Sequence, residues 1–411
     1  MVTMTEVPDG RRTSLLDGVT VLDLTRFLAG PFGTMVLADM GATVIKVEQL
    51  TGDTTRYQPP YYFEGDSAYF LAINRNKQSI SLDIRSEGGR RVLERLIARS
   101  DIMIDNLRAP QRHKLRLSWE HVEEINPRII SCSVTGFGSD GPYADRPAYD
   151  IIVEALGGVM GVTGPEGGPS VRAGVPIGDI TAGLYAAIGV LGGLAYRDHT
   201  GRGQHIDVSM LDAQVSLLSY LAQYYFIGGL VAQHQGRAHV SIPTYNTFAT
   251  KDGREIVVAA NTQEMWTSLC HVLGRQDLLK DPRFVDNPTR LAHREELLEI
   301  LREEFARCDV EWLHDALVEH QVPAAPINSI DAALADPQVR HREMVVKTPH
   351  RSGKDFLTLG TAIKTDDPAG AEFSSPPALG GDTQQILDAL GFTGPEISEL
   401  AAAGAIKLDG Q

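Results

Sequence analysis

Cysteine is scarce in this chain of 411 residues: Cys132, Cys270 and Cys308 lie far apart. Their spacing offers neither a disulfide framework nor a thiolate zinc site; it fits a reducing compartment, and a cytoplasmic protein is expected. Basic charge is in deficit, 38 Lys and Arg against 53 Asp and Glu for a net charge of -15, which argues against a general nucleic-acid binder. Residues 1–13 are polar, without the apolar core of a secretory signal, and no run approaches the ~20 apolar residues of a membrane span, so no membrane association is expected. Several motifs are missing: the Walker pattern, the G-x-G-x-x-G fingerprint, the G-x-S-x-G elbow and the H-E-x-x-H helix. His234 and His239 stand five apart in a polar stretch, and no metal site is expected there. No internal repeat or low-complexity tract is present.

What remains, 43% hydrophobic and 22% charged residues, is enough for a full core in two or three domains. The pattern from Val19 to Leu24 predicts a buried strand; a helix follows from Pro31 to about Met40, then a strand over Ala42–Val47. Strand, loop, helix and strand in thirty residues open a doubly wound α/β fold. Further strands are predicted at Phe70–Ile73, up to Leu82, at Ile102–Asn106, Arg128–Val134 and Gln204–Ser209, with helices over Glu87–Ser100, Tyr149–Met160 and Leu211–Ile227. Asp252-Gly253 marks a hairpin within Phe248–Ala259. The expected organisation is a disordered start at 1–13, a large α/β domain over 14–227, a linker at 228–240, a small α+β domain over 241–322, and a return to the large domain over 323–411.

One carboxylate stands out. In Gly174-Val-Pro-Ile-Gly-Asp179-Ile-Thr-Ala-Gly183 the glycines and Pro176 break the preceding chain, and an apolar helix runs on to Tyr196. Asp179 and Thr181 are both good N-cap residues, so capping is the ordinary reading of Asp179. The other reading is a nucleophile, kept ionised by the helix dipole and open to a bulky electrophile between glycines. Arg75 and Lys77, at a turn, read as solvated surface. A basic run, Arg108, Arg112, His113, Lys114 and Arg116, follows the Ile102–Asn106 strand, and a glycine-rich loop, Thr135–Pro142, follows the next. Together these suit an anionic, phosphate-bearing substrate.

The blocks Gly18–Phe32, Leu37–Glu48, Asn74–Ile80, Asp105–Leu107, Gly136–Pro142, Gly178–Gly183 and Gly201–Gln204 resemble, in order, those of the class III CoA-transferase family, over nearly the whole chain. The resemblance implies a Rossmann-like large domain built from both ends of the chain, a small inserted domain, and a homodimer of interlocked subunits. It implies an acyl-CoA thioester and a small carboxylate as substrates, with no metal and no tightly bound cofactor, and Asp179 as the nucleophile. By the same resemblance coenzyme A meets Phe27, Leu28 and Ala29, then Asn74, Arg75 and Lys77, then Asn106, Leu107 and Lys114. Leu28 and Gln49 stand where formyl-CoA transferase has glutamine and arginine, which points away from oxalate and formate. Val258-Ala-Ala-Asn-Thr262 replaces that enzyme's shielding glycine loop, and Ser241–Tyr245 resembles members that handle succinate, glutarate or related dicarboxylates. The alternatives are a racemase of the α-methylacyl-CoA type, which pairs its aspartate with a histidine where this chain has Tyr149, and a non-catalytic acyl-CoA binder.

Overall fold

Short apolar runs bounded by glycine or polar turns fold as β1 (Thr20–Asp23), β2 (Thr43–Glu48), β5 (Lys77–Leu82), β6 (Ile102–Asp105), β7 (Ile130–Thr135) and β8 (Gln204–Ser209), with a small separate ladder of β3 (Tyr62–Phe63) and β4 (Asp66–Ser67) between. A computed structural model describes residues 14–234, 236–239, 241–366 and 373–408; the start at 1–13 expected to be disordered lies outside them. Among the described residues, 14–159, 173–219 and 341–408 form one unit and 160–172 and 220–340 a second. The second is larger than the small domain expected at 241–322, because hydrogen bonding recruits its flanks. Gly236 N–H donates to Gly164 O at 3.1 Å, and Ser170 meets His234 at 3.0 Å.

The large unit carries a seven-stranded sheet in which β14 (Ile406–Lys407) stands at one edge, in the order β14-β5-β2-β1-β6-β7-β8. Every pairing is parallel except that of the last strand, Ile406–Lys407, which lies antiparallel on Leu82 and Ser81. Strand order reverses direction between β1 and β6, and this switch point opens a crevice at the carboxyl ends of the strands. The helices in chain order are α1 (Ala29–Asp39), α2 (Ala68–Ile73), α3 (Glu87–Arg99), α4 (Ala109–Lys114), α5 (Trp119–Ile125), α6 (Asp150–Leu156), the single turn α7 (Val159–Val162), α8 (Ile177–Thr200) and α9 (Met210–Leu217). One apolar core gathers Val92, Leu96, Val122 and the C-terminal Ile386 and Leu400 on one face of the sheet; a second gathers Leu37, Ala182, Ala186 and Val190 on the other.

Three predicted elements take a different form. Phe70–Ile73, expected as a strand, is α2, because the Ser67 hydroxyl caps it by accepting from Tyr69 N–H at 3.2 Å. The helix expected over Tyr149–Met160 breaks at Gly157-Gly158, with Gly158 at φ +86°. The long helix expected over Leu211–Ile227 is α9 followed by Ser219–Gly228, divided where Ser219 takes φ 44°. Helix α8, at 24 residues, is long and apolar enough to cross a membrane by length and composition alone, contrary to the estimate from sequence. It packs instead as the crossover helix before β8, on α1, β7 and β8.

In the small unit, β9 (Tyr245–Ala249) and β10 (Glu255–Ala259) form the predicted hairpin, with Gly253 at φ +77°. Residues 324–326, assigned from sequence to the return linker, add the third strand, β11 (Ala324–Pro326). Helices pack Trp266, Leu301 and Phe305 beneath this sheet, with Phe305 stacked on Phe248 at 4.3 Å. The Val258–Thr262 segment ends β10 and then caps the helix Gln263–Val272, the Thr262 hydroxyl accepting from Met265 N–H. Back in the large unit, β12 (Val345–Pro349) and β13 (Asp355–Leu359) form a further hairpin, and β14 (Ile406–Lys407) ends the sheet.

Helices α1 and α8 approach backbone to backbone. A Cβ on Gly33 would lie 2.5 Å from the Gly183 carbonyl oxygen, and one on Gly183 would lie 2.4 Å from that of Ala29. Replacing Gly33 with alanine is expected to cost roughly 1–3 kcal/mol of stability, as overpacking does, read from urea denaturation.

Candidate active site

The loops that leave β1 and β6 at the switch point are tied to each other. The Asn106 side chain accepts from Arg26 N–H at 3.1 Å and donates to Arg26 O at 2.7 Å. That pairing brings Phe27, Leu28 and Ala29 beside Asn106 and Leu107. Phe27 adopts φ 63° with its ring about half exposed, Leu28 is the N-cap of α1, and Ala29 is buried against α8. A cleft of about 390 Å³ opens here, lined by Arg26, Gln49, Leu107, Gln111 and Lys114 among others. Arg26 and Gln111 were not singled out from sequence. Gln111 sits one turn before Lys114 on α4, a helical spacing that could have found it.

Of the nine residues expected to meet coenzyme A, Leu107 and Lys114 line this cleft; Phe27, Leu28, Ala29 and Asn106 do not, and neither do Asn74, Arg75 and Lys77. The last three are buried, which overturns the reading of Arg75 and Lys77 as solvated surface. The physical reason is pairing. Arg75 holds Asp39, at the end of α1, through two hydrogen bonds of 3.0 and 2.6 Å, and also donates to Leu359 O. Lys77 Nζ donates to Asp23 at 3.1 Å, to Pro31 O at 3.0 Å and to Asn74 Oδ1 at 3.0 Å. Lys46, also buried, donates to Thr25 O and Asp53, both at 2.9 Å. Burial alone would raise the Asp23 carboxyl, but Lys77 and Lys46 hold it down at about 2, while burial brings Lys77 down to about 8 against the pull of Asp23. These charges fix the first loop from beneath, through its own carbonyls at Thr25 and Pro31. In the basic run, Arg112 is likewise turned inward, 3.2 Å from Asp105.

Asp179 lies in the first turn of α8, which begins at Ile177 with Pro176 as N-cap. It is therefore not a cap, and neither is Thr181. The capping reading fails because another carboxylate holds that place. Asp150, first residue of α6, accepts from Gly178 N–H at 2.8 Å and Asp179 N–H at 3.2 Å through one oxygen. Asp150 is the main residue to which sequence reasoning gave no role; its signals were its place at the start of a predicted helix and in the segment, with Tyr149, that matches the racemase's histidine segment. The glycine contacts with Ala29 and Gly33 set this turn of α8 beside the start of α1. Burial first, and then the negative field of Asp150, push the Asp179 carboxyl up to about 7. Tyr69 of α2 faces the same group, its phenol pushed up to about 12 by burial and by Asp179, Asp53 and Asp150. A partly buried carboxylate of raised basicity is equipped for nucleophilic attack or proton transfer; it does not itself line the cleft of Arg26 and Lys114.

The chain belongs to CoA-transferase family III, which it matches over residues 16–383, and it is an enzyme of that family. It is 39% identical to human succinyl-CoA:glutarate CoA-transferase over 395 residues, covering 95% of this chain and 90% of that protein. Succinate–glutarate CoA-transferase of Agrobacterium fabrum is 36% identical, with 93% and 97% covered, and formyl-CoA:oxalate CoA-transferase of Streptomyces avermitilis 33% identical, with 96% and 100% covered. Among solved structures, a CAIB/BAIF family protein from Brucella suis superimposes with a TM-score of 0.83 at 37% identity, covering 92% of this chain and 99% of that one.

Because folding raises the Asp179 carboxyl, its ionised form weakens the folded state. That penalty is absent below the ordinary carboxylate range, where the group is protonated folded or unfolded, and is complete once pH has risen past about 7. Asp179→Asn is expected to melt several degrees above the wild type at pH 8 and level with it near pH 3, by thermal scans across that range.

Proposed function

We propose that the enzyme moves coenzyme A from a dicarboxylic acyl-CoA, succinyl-CoA foremost, to a small dicarboxylate acceptor, with Asp179 as covalent carrier. The observation that carries this reading is the placement of Asp179 in the first turn of α8, with its basicity raised and its capping role taken by Asp150. Substrate class is supported by relatives named for succinyl-CoA with glutarate, and by Leu28 and Gln49 in place of the formyl-CoA enzyme's glutamine and arginine.

In this reading an Asp179 carboxylate oxygen attacks the thioester carbonyl carbon; the C–S bond breaks, giving an aspartyl mixed anhydride and CoA thiolate. The thiolate then attacks the aspartyl carbonyl, releasing the donor carboxylate and leaving an aspartyl-CoA thioester. The acceptor carboxylate displaces the thiolate to form a second anhydride, and the thiolate takes the new acyl group and frees Asp179. No net proton is consumed, and the thioester's free energy is conserved. Arg26 and Lys114 in the cleft are suited to the phosphates of CoA, while Asn74, Arg75 and Lys77 shape the loop from below.

A racemase would need a second base of suitable geometry at the substrate's α-carbon. The group that faces Asp179 from α6 is a carboxylate already engaged by two backbone N–H groups, which favours transfer. The working form is proposed to be an interlocked homodimer. In the large unit, Ile151, Ile152 and Leu156 of α6 and Leu184, Tyr185 and Ile188 of α8 are left exposed on two neighbouring helices, apolar surface of the kind that marks a protein–protein contact.

Intact-protein mass after brief incubation with succinyl-CoA, with borohydride or hydroxylamine trapping, is expected to show a modification on Asp179 in the wild type and none in Asp179→Asn. Donors that bind without marking Asp179 would sink the covalent reading, and α-proton exchange into deuterated water would then separate a racemase from an idle binder. Lys114→Ala is expected to raise KM for the acyl-CoA roughly ten-fold with kcat little changed, as loss of a uniform phosphate contact does; steady-state kinetics at constant ionic strength reads it.

A further inference from the structure

Helix α6 grips the segment that delivers the nucleophile at both ends. Asp150 and Glu154, four residues apart and so on one helix face, are both buried. Asp150 accepts from the N–H groups of Gly178 and Asp179, and Glu154 accepts from Ala173 N–H at 2.8 Å. The fit around Gly178 is close: a Cβ there would lie 2.8 Å from the Gln214 amide nitrogen of α9 and 3.0 Å from the Asp150 carboxylate. Among the described residues, Asp150 is the charged group whose field acts on Asp179. α1 presents Ala29 and Gly33 to α8, α9 presents Gln214, and β7 and β8 present Ile130 and Ile206 farther along, leaving Asp150 of α6 and the neutral phenol of Tyr69 of α2.

We infer that Asp150 is the positioning residue of the transfer reaction: it takes the N–H groups at the start of α8 away from Asp179 and sets a fixed negative charge behind it, making Asp179 a stronger nucleophile. The inference rests on the reading of Asp179 as covalent carrier. Free N–H groups at a helix start stabilise a carboxylate and blunt it. Here Asp150 occupies them, so the Asp179 oxygens keep their electron density for the thioester carbon. Glu154 fixes the far end of the 173–179 segment, so that the approach direction is set by α6 as well.

The test separates charge from contact. Asp150→Asn keeps an oxygen to accept from both N–H groups but removes the charge. It is expected to move the acid limb of the kcat/KM profile for succinyl-CoA down by about one pH unit, with a severalfold lower plateau and unchanged affinity for CoA. Asp150→Glu keeps the charge on a longer arm; its limb is expected at the wild-type pH, with a lower plateau only. An acid limb that stays in place in Asp150→Asn, or moves equally in Asp150→Glu, overturns the inference. Should Asp150→Asn fail to fold, Asp150→Ser, neutral and still able to accept through its hydroxyl, takes its place: the same downward move of the limb is expected, and an unmoved limb overturns the inference. Trapping on wild-type Asp179 accompanies the profiles: no adduct overturns the covalent reading and this inference together, whereas an adduct with an unmoved limb overturns this inference alone.

Discussion

Two glycines facing each other, Gly33 on α1 and Gly183 on α8, set the distance on which the site depends. Both helices lie on one face of the sheet, and both run antiparallel to its strands, so their N-termini emerge at the same edge. With no side chain between them, the turn that follows Asp179 settles against Ala29 at the start of α1. Any larger residue at either position would hold the two starts apart. Glycine here is selected by proximity: both residues have ordinary helical backbone, and a left-handed conformation is not involved.

The first loop is held from the other side by charge. Asp23, Lys46, Asp53 and Lys77 form a buried group of alternating sign whose ammonium groups end on loop carbonyls. Burying such groups costs more than hydrophobic packing of the same volume would, so their contribution is to hold one geometry at the place where substrate phosphates are proposed to dock. Removing one member would strand its partner without solvent, which makes the set all-or-none. Asp150 applies the same logic at α8, where one carboxylate fixes a backbone turn and shapes the electrostatics of its neighbour.

The sheet was legible because its strands are short apolar runs between strong turn signals, and the Asp-Gly hairpin of the small unit was legible for the same reason. Phe70–Ile73 was not, since four consecutive apolar residues have no period and only the Ser67 cap decides for a helix. Lys77 was misplaced because its partner Asp23 lies 54 residues away, outside any local pattern. Asp179 was found through its glycine flanks, but whether it capped its helix depended on Asp150, 28 residues upstream of Gly178. Local reading thus found the nucleophile candidate and the loops near it, while the groups that orient them came from pairings across the fold. The unit boundaries shifted for a similar reason, as 324–326 joins a sheet begun at Tyr245.

The last strand of the large unit has a bearing on how the chain is made. β5 is complete by Leu82, yet its outer edge is covered only by residues that come after the whole small unit: Asp382 and Thr383, which bond Ser79 and Ser81, and Ile406 and Lys407, which pair with Leu82 and Ser81. During translation, therefore, a hydrogen-bonding strand edge stays open for about three hundred residues, at ribosomal speed roughly 15–60 s. A chain interrupted before residue 382 would keep most of its sheet and none of this cover, the form most prone to pair edge to edge with its own kind.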